Sequence, residues 1–116
     1  MERKITHQTL GGKVESNFDM AFKYYSLISA LLGLNLTKRK LQLVAFTAVK
    51  GNISYPDFKE EFIKTFDSSG ATINNIVSEL QELKVFVKVD SKVKVNPSLA
   101  MDFNNDVSLK ITLNHV

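Results

Sequence analysis

The chain has 116 residues, a formal net charge of +3, 44% apolar residues and no cysteine. That length and apolar share fit a single domain with a real core and argue against a disordered chain. The lack of cysteine excludes disulfides, thiol nucleophiles and thiolate metal sites, and it fits a reducing compartment. The opening MERKITHQTL has charges but no apolar stretch of signal-peptide type, and the greasiest segment, YYSLISALLGL, is too short to span a bilayer. A cytoplasmic protein with no membrane contact is expected.

Charge is unevenly spread. Residues 38–50 carry +4, residues 84–94 carry +3, and residues 54–82 between them carry −4. Two basic regions therefore flank an acidic one, and anionic partners are only mildly favoured.

In chain order, KITHQTL (4–10) is rich in β-branched residues and ends at Gly11-Gly12, which predicts a short strand and turn. Over 17–33, Phe18, Ala21, Phe22, Tyr25, Ile28 and Leu32 recur at helical spacing, and Gly33 is a natural stop. Thr37 can cap a second helix over about 38–50. Its apolar residues cover most of its circumference, which suits a central position. Its first turn, Lys38-Arg39-Lys40, opposes the helix dipole. Ser54 with Asp57 reads as a capping box for a third helix over about 55–65, followed by the turn Asp67-Ser68-Ser69-Gly70.

A fourth helix over about 71–84 has an apolar stripe of Ile73, Ile76, Val77, Leu80 and Leu83 opposite Ala71, Asn75, Ser78 and Glu82. VFVKV and KVKV then alternate around Asp90-Ser91, the pattern of a hairpin with one buried face, and Asn96-Pro97 ends it. VSLKITLN (107–114) alternates again and predicts a terminal strand.

The order helix, helix, turn, helix, hairpin over 37–97 resembles the winged helix-turn-helix superfamily. SSGATINNIVSELQELKVFVKV is similar to that family's polar turn, reading helix and entry into the wing, and KVKVNPSL looks like the end of the winged domain in plasmid and phage replication or regulatory proteins. The expected fold is α+β: about four helices and a β-hairpin wing, with short N- and C-terminal strands, in one domain over 1–116. Within it, 37–97 forms the winged core, 1–36 an N-terminal strand and helix, and 98–116 a C-terminal strand extension.

The resemblance implies duplex DNA as partner. The fourth helix would enter the major groove and present Ser68, Ser69, Thr72, Asn74, Asn75 and Ser78 to base edges, while Lys88, Lys92 and Lys94 of the wing, with Lys38 and Arg39, hold phosphates. The implied role is that of a prokaryotic or phage transcriptional regulator or replication accessory. The first helix or the terminal strands are candidates for a homodimer or larger assembly.

One departure stands against this. The fourth helix has Glu79 and Glu82 and no Lys or Arg. The same polar residues also fit a solvated helix face, and the wing lysines also fit a solvated hairpin. The competing class is a protein-interaction module or a phage virion or assembly component, located in the virion rather than host cytoplasm.

No enzyme, metal or cofactor is expected. His7 and His115 lie near opposite ends of the chain without a third ligand. Gly11-Gly12 lacks a phosphate-loop pattern, and Ser69-Gly70 lacks a nucleophile elbow.

Overall fold

The computed structural model describes residues 4–116. Four helices and a two-stranded antiparallel sheet follow in the order α1 (Asn17–Leu32), α2 (Lys38–Lys50), α3 (Phe58–Phe66), α4 (Gly70–Glu82), β1 (Phe86–Val89) and β2 (Lys92–Val95). This α+β arrangement is compatible with a winged helix-turn-helix.

Helix α1 starts where the Ser16 side chain accepts the Asp19 backbone N–H at 3.0 Å, satisfying one of the first-turn donors. It stops at Gly33, whose φ of 66° lets the Leu34 N–H reach back to the Ser29 carbonyl at 2.9 Å. Helix α2 buries Leu41, Leu43, Val44, Ala45, Phe46 and Thr47, so the helix that is greasy all round is the central one. The Thr47 hydroxyl, the one polar group in that set, donates to the Leu43 carbonyl at 2.7 Å. Around Phe46 the rings of Phe58 and Phe62 stand edge-on at 5.1 and 5.6 Å, which welds α3 to α2.

Helix α3 begins at Phe58, later than the capping box predicted. Asp57 makes no side-chain cap and has φ 65°, and residues 52–58 form turns closed by Tyr55 N–H to the Asn52 carbonyl and Phe58 N–H to the Tyr55 carbonyl. Tyr55 precedes Pro56, and the proline ring disfavours the helical region for the residue before it. The Ile53 N–H also donates to the Val93 carbonyl at 2.9 Å, which fastens this connection to β2.

The hairpin register pairs Phe86 with Val95, Val87 with Lys94, Lys88 with Val93 and Val89 with Lys92. Asp90 and Ser91 both have positive φ (50° and 65°), as a two-residue type I′ turn requires. Paired residues share a face, and the one buried face expected of the hairpin is the side that carries Phe86 and Val95. Phe86, Lys88, Val93 and Val95 lie on one side, and Val87, Val89, Lys92 and Lys94 on the other. A two-residue turn fixes the register, and that register sets valine opposite lysine at three of the four pairs.

The predicted terminal strands are absent: neither 4–10 nor 107–114 is in a sheet. A lone strand needs an edge to pair with. KITHQTL has only Ile5 and Leu10 to bury, and both are exposed, so nothing offsets the entropy of ordering it. The C-terminal segment is instead anchored earlier. Phe103 is buried against Tyr24 and Tyr25 at 5.6 Å from each ring, and the Tyr25 hydroxyl donates to the Leu99 carbonyl at 2.9 Å. The core thus runs from Ala21 of α1 to Phe103.

Candidate nucleic-acid interface

Helix α4 is positioned from both ends. At its start, the Ser69 Oγ accepts the Thr72 N–H at 3.1 Å and donates to the Thr72 Oγ1 at 2.9 Å. At its end, Lys84 takes a φ of 63°, and the Val85 N–H reaches back to the Leu80 carbonyl at 3.0 Å. This closing motif needs a left-handed residue, which a lysine adopts at some cost. It turns the chain so that Val85 is buried while Leu83, expected on the core stripe, is exposed. Ile73, Ile76 and Leu80 are buried as the spacing requires. The Asn96 side-chain amide then donates to the Lys84 carbonyl at 2.9 Å, locking the end of the hairpin to the end of the helix.

The eleven residues proposed for nucleic acid separate into distinct environments. Asn74, Asn75 and Ser78 lie together on the exposed face of α4. Ser69 and Thr72 are exposed, but their hydroxyls are engaged with one another and with the helix cap. Ser68 does not belong to this surface: its Oγ is shielded from solvent and has no hydrogen-bond partner. Asp67 at φ 51° swings the chain out of α3 and carries that side chain inward.

Arg39 is likewise committed elsewhere. Its guanidinium donates from Nη1 to the Phe66 carbonyl, placing a cation on the C-terminus of α3 and tying α2 to the turn before α4. Lys94 is half-buried and lines a cavity of about 270 Å³ with Tyr25, Gly51, Pro97 and Met101, away from α4. Lys38, Lys88 and Lys92 remain exposed. Lys88 and Lys92 sit on opposite faces of the hairpin near its turn.

Two cations outside the expected phosphate-contact set turn out to matter. The Lys59 Nζ on α3 donates to the Asn74 Oδ1 at 3.1 Å, so a positive charge stands beside the polar face of α4. The Lys40 Nζ on α2 lies 2.5 Å from the Glu79 Oε2, so the acid that made α4 look hostile to a polyanion is paired. Half-exposed pairs of this kind stabilise little, yet they do cancel local charge. No pattern along the chain signals either contact, because each joins different helices and depends on how those helices cross.

Lys50, the last basic residue of the first cationic region, lies 2.9 Å from Glu61. The hydrogen bond that its ammonium donates to that carboxylate, against opposing desolvation, raises its pKa above the ordinary lysine value. The +4 charge of residues 38–50 is therefore spent largely on α3 and α4, leaving Lys38 exposed at the helix start.

Comparison with models of known families, with curated proteins and with solved structures finds no match. Among the described residues, no helix is long and apolar enough to cross a membrane.

Proposed function

We propose that the protein is a winged-helix protein that binds duplex DNA without performing chemistry, in the role of a prokaryotic or phage transcriptional regulator or replication accessory. The observation that carries this reading is the Lys59–Asn74 contact on α4, beside a Glu79 neutralised by Lys40. An exposed asparagine face backed by a buried apolar stripe suits a helix lying in the major groove, where Asn can bond adenine bidentately. On this reading Asn74, Asn75 and Ser78 contact base edges, with Thr72 beside them. Lys59, Lys88, Lys92 and Lys38 engage phosphates, which supply affinity rather than specificity.

A second reading, docking to another protein, is favoured by the charges that stay unmasked. Glu60 on α3 and Glu82 on α4 are exposed, and α4 carries no cation of its own.

One titration separates the two. With labelled random duplex at low salt, fluorescence anisotropy should rise, and log K should fall against log salt with a slope of about −3 to −4, as a few phosphate contacts dictate. No binding at tens of micromolar protein would sink the DNA reading and leave the docking one.

A further inference from the structure

The cavity beside β2 draws its walls from four parts of the fold. Tyr25 of α1, Ala48 of α2, Val95 of β2 and the segment 97–101 enclose about 270 Å³. Pro97, Ala100 and Met101 are themselves exposed, so the space opens to solvent along that segment. The walls are mostly apolar, and the one charged side chain among them is Lys94.

Lys94 is half-buried and lacks an acidic partner. Among the described residues the ion pairs are Lys23–Asp19, Lys40–Glu79 and Lys50–Glu61, and the lysine side chains that donate other hydrogen bonds are Lys23 and Lys59. Asp102, which follows the cavity-lining Met101, is engaged in its own turn. Its Oδ1 accepts the Asn104 N–H at 2.9 Å and its Oδ2 the Asn105 side-chain amide at 2.8 Å. A cation drawn partly out of water costs free energy unless an anion meets it. Three neutral donors of the lining are also engaged. The Tyr25 hydroxyl donates to the Leu99 carbonyl at 2.9 Å, the Gly51 N–H to the Thr47 carbonyl at 2.8 Å, and the Ala100 N–H to the Pro97 carbonyl at 3.3 Å.

We propose that this cavity binds a small monocarboxylate with an aliphatic body, of the size of a short fatty acid. The Lys94 ammonium meets the carboxylate, while Ala48, Val95, Pro97 and Met101 pack on the chain. Apolar walls around a convergent polar group are the usual make-up of a small-molecule site, and this volume lies just below the usual range of about 300–1,000 Å³. The ligand is therefore small, and the flexible thioether of Met101 can adjust to it. One cation, with the Gly51 and Ala100 N–H groups engaged, matches a single negative charge better than the double charge of phosphate. The site uses none of the residues kept for DNA, and its test needs no nucleic acid.

Titration of isotope-labelled protein with sodium hexanoate at fixed ionic strength, followed by amide NMR, reads it directly. The amides of Gly51, Lys94, Val95 and Ala100 should shift together and saturate, with Kd in the millimolar range expected of so small a ligand. Lys94→Met should weaken hexanoate at least about tenfold, the loss of one charge-assisted hydrogen bond. Ala100→Trp, made at an exposed position, should fill the mouth and weaken it similarly with the cation intact. Hexanol and inorganic phosphate each lack one half of the ligand and should bind at least about tenfold more weakly than hexanoate. No saturable shift at tens of millimolar hexanoate overturns the proposal. Unchanged affinity in either variant overturns it by placing the ligand elsewhere. Hexanol or phosphate binding as well as hexanoate overturns it too, reducing the site to an apolar hollow or a surface cation.

Discussion

Glu79 shows what a single side chain means before and after its neighbours are known. As a letter it subtracts a charge from the surface proposed for DNA. In the fold, Lys40 meets it, and Lys59 adds a cation next to Asn74. The exposure of Asn74, Asn75 and Ser78 was legible, because helical spacing alone puts them opposite the buried isoleucines. The partners were not, since Lys40 and Glu79 are 39 positions apart in the chain and only the crossing of α2 with α4 joins them. The pair gives a directional expectation. Glu79→Gln should tighten duplex binding severalfold at low salt by freeing Lys40, with a stability change under about 1 kcal/mol because the pair is half exposed. Weaker binding in that variant would place the α4 face away from DNA. Arg39 gives the opposite pattern. Arg39→Ala leaves the Phe66 carbonyl without its charged donor and should lower unfolding stability by about 1–3 kcal/mol. The salt slope of duplex binding should stay the same, because Arg39 holds no phosphate. A slope reduced by about one unit, with stability intact, would return Arg39 to the phosphate-binding set.

At the scale of elements, the helices were the legible part. Helices α1, α2 and α4 each have a capping residue, and α1 and α2 a glycine stop, beside a periodic apolar set strong enough to fix their place, and α2 was recognisable as central from its circumference alone. The exception is the start of α3, where Pro56 restricts Tyr55 and the chain makes turns instead. Strands proved harder, because alternation describes a potential face without naming the edge that would pair with it. Residues 4–10 and 107–114 alternate or branch as strands do, and neither finds an edge. The hairpin does pair, with Phe86 and Val95 buried together on one face and valine set opposite lysine in the other three pairs. Its turn is the weak point, since Asp90 and Ser91 both sit at positive φ. Ser91→Gly removes the left-handed penalty at one of them and should stabilise the domain by about 0.5–1 kcal/mol in urea unfolding. Binding should not weaken, because Lys88 and Lys92 keep their register. A destabilised variant would show that the serine side chain contributes more to the turn than its backbone conformation costs.

The whole molecule is held together more widely than the stretch 37–97 that carries the family resemblance. Ala21 and Tyr25 from α1 and Phe103 from the C-terminal segment belong to the same core as α2, α3 and α4, so the flanking regions are structural from Phe18 to Val107. Aromatic residues advertised burial in the sequence, yet nothing there paired Tyr25 with residues 99–103, a contact made by chain that has no regular structure of its own. Tyr25 reports on that closure through its ionisation. Burial first, and the neighbouring Tyr24 second, push its hydroxyl well above the ordinary tyrosine value of 10.0. In the unfolded chain the same group ionises normally. Below that ordinary value the folded and unfolded states hold the same proton and no penalty arises. Above it, the unfolded state sheds the proton while the folded state keeps it, so stability falls by about 1.4 kcal/mol per pH unit from this group alone. Tyr25→Phe cannot ionise. At neutral pH the variant should be less stable than the wild type by about 0.5–1.5 kcal/mol, the value of the lost bond to the Leu99 carbonyl. As the pH climbs from about 9 to 11 that deficit should shrink and then reverse, because only the wild type carries the tyrosine penalty. Lys50 weakens both proteins alike in this range, since its raised pKa makes its contribution fade at alkaline pH in each. Unfolding curves for the two proteins, measured side by side at each pH, isolate the crossing. A deficit that stays constant across the range would mean that water reaches the Tyr25 hydroxyl, and that the 97–103 segment does not seal α1 to the core.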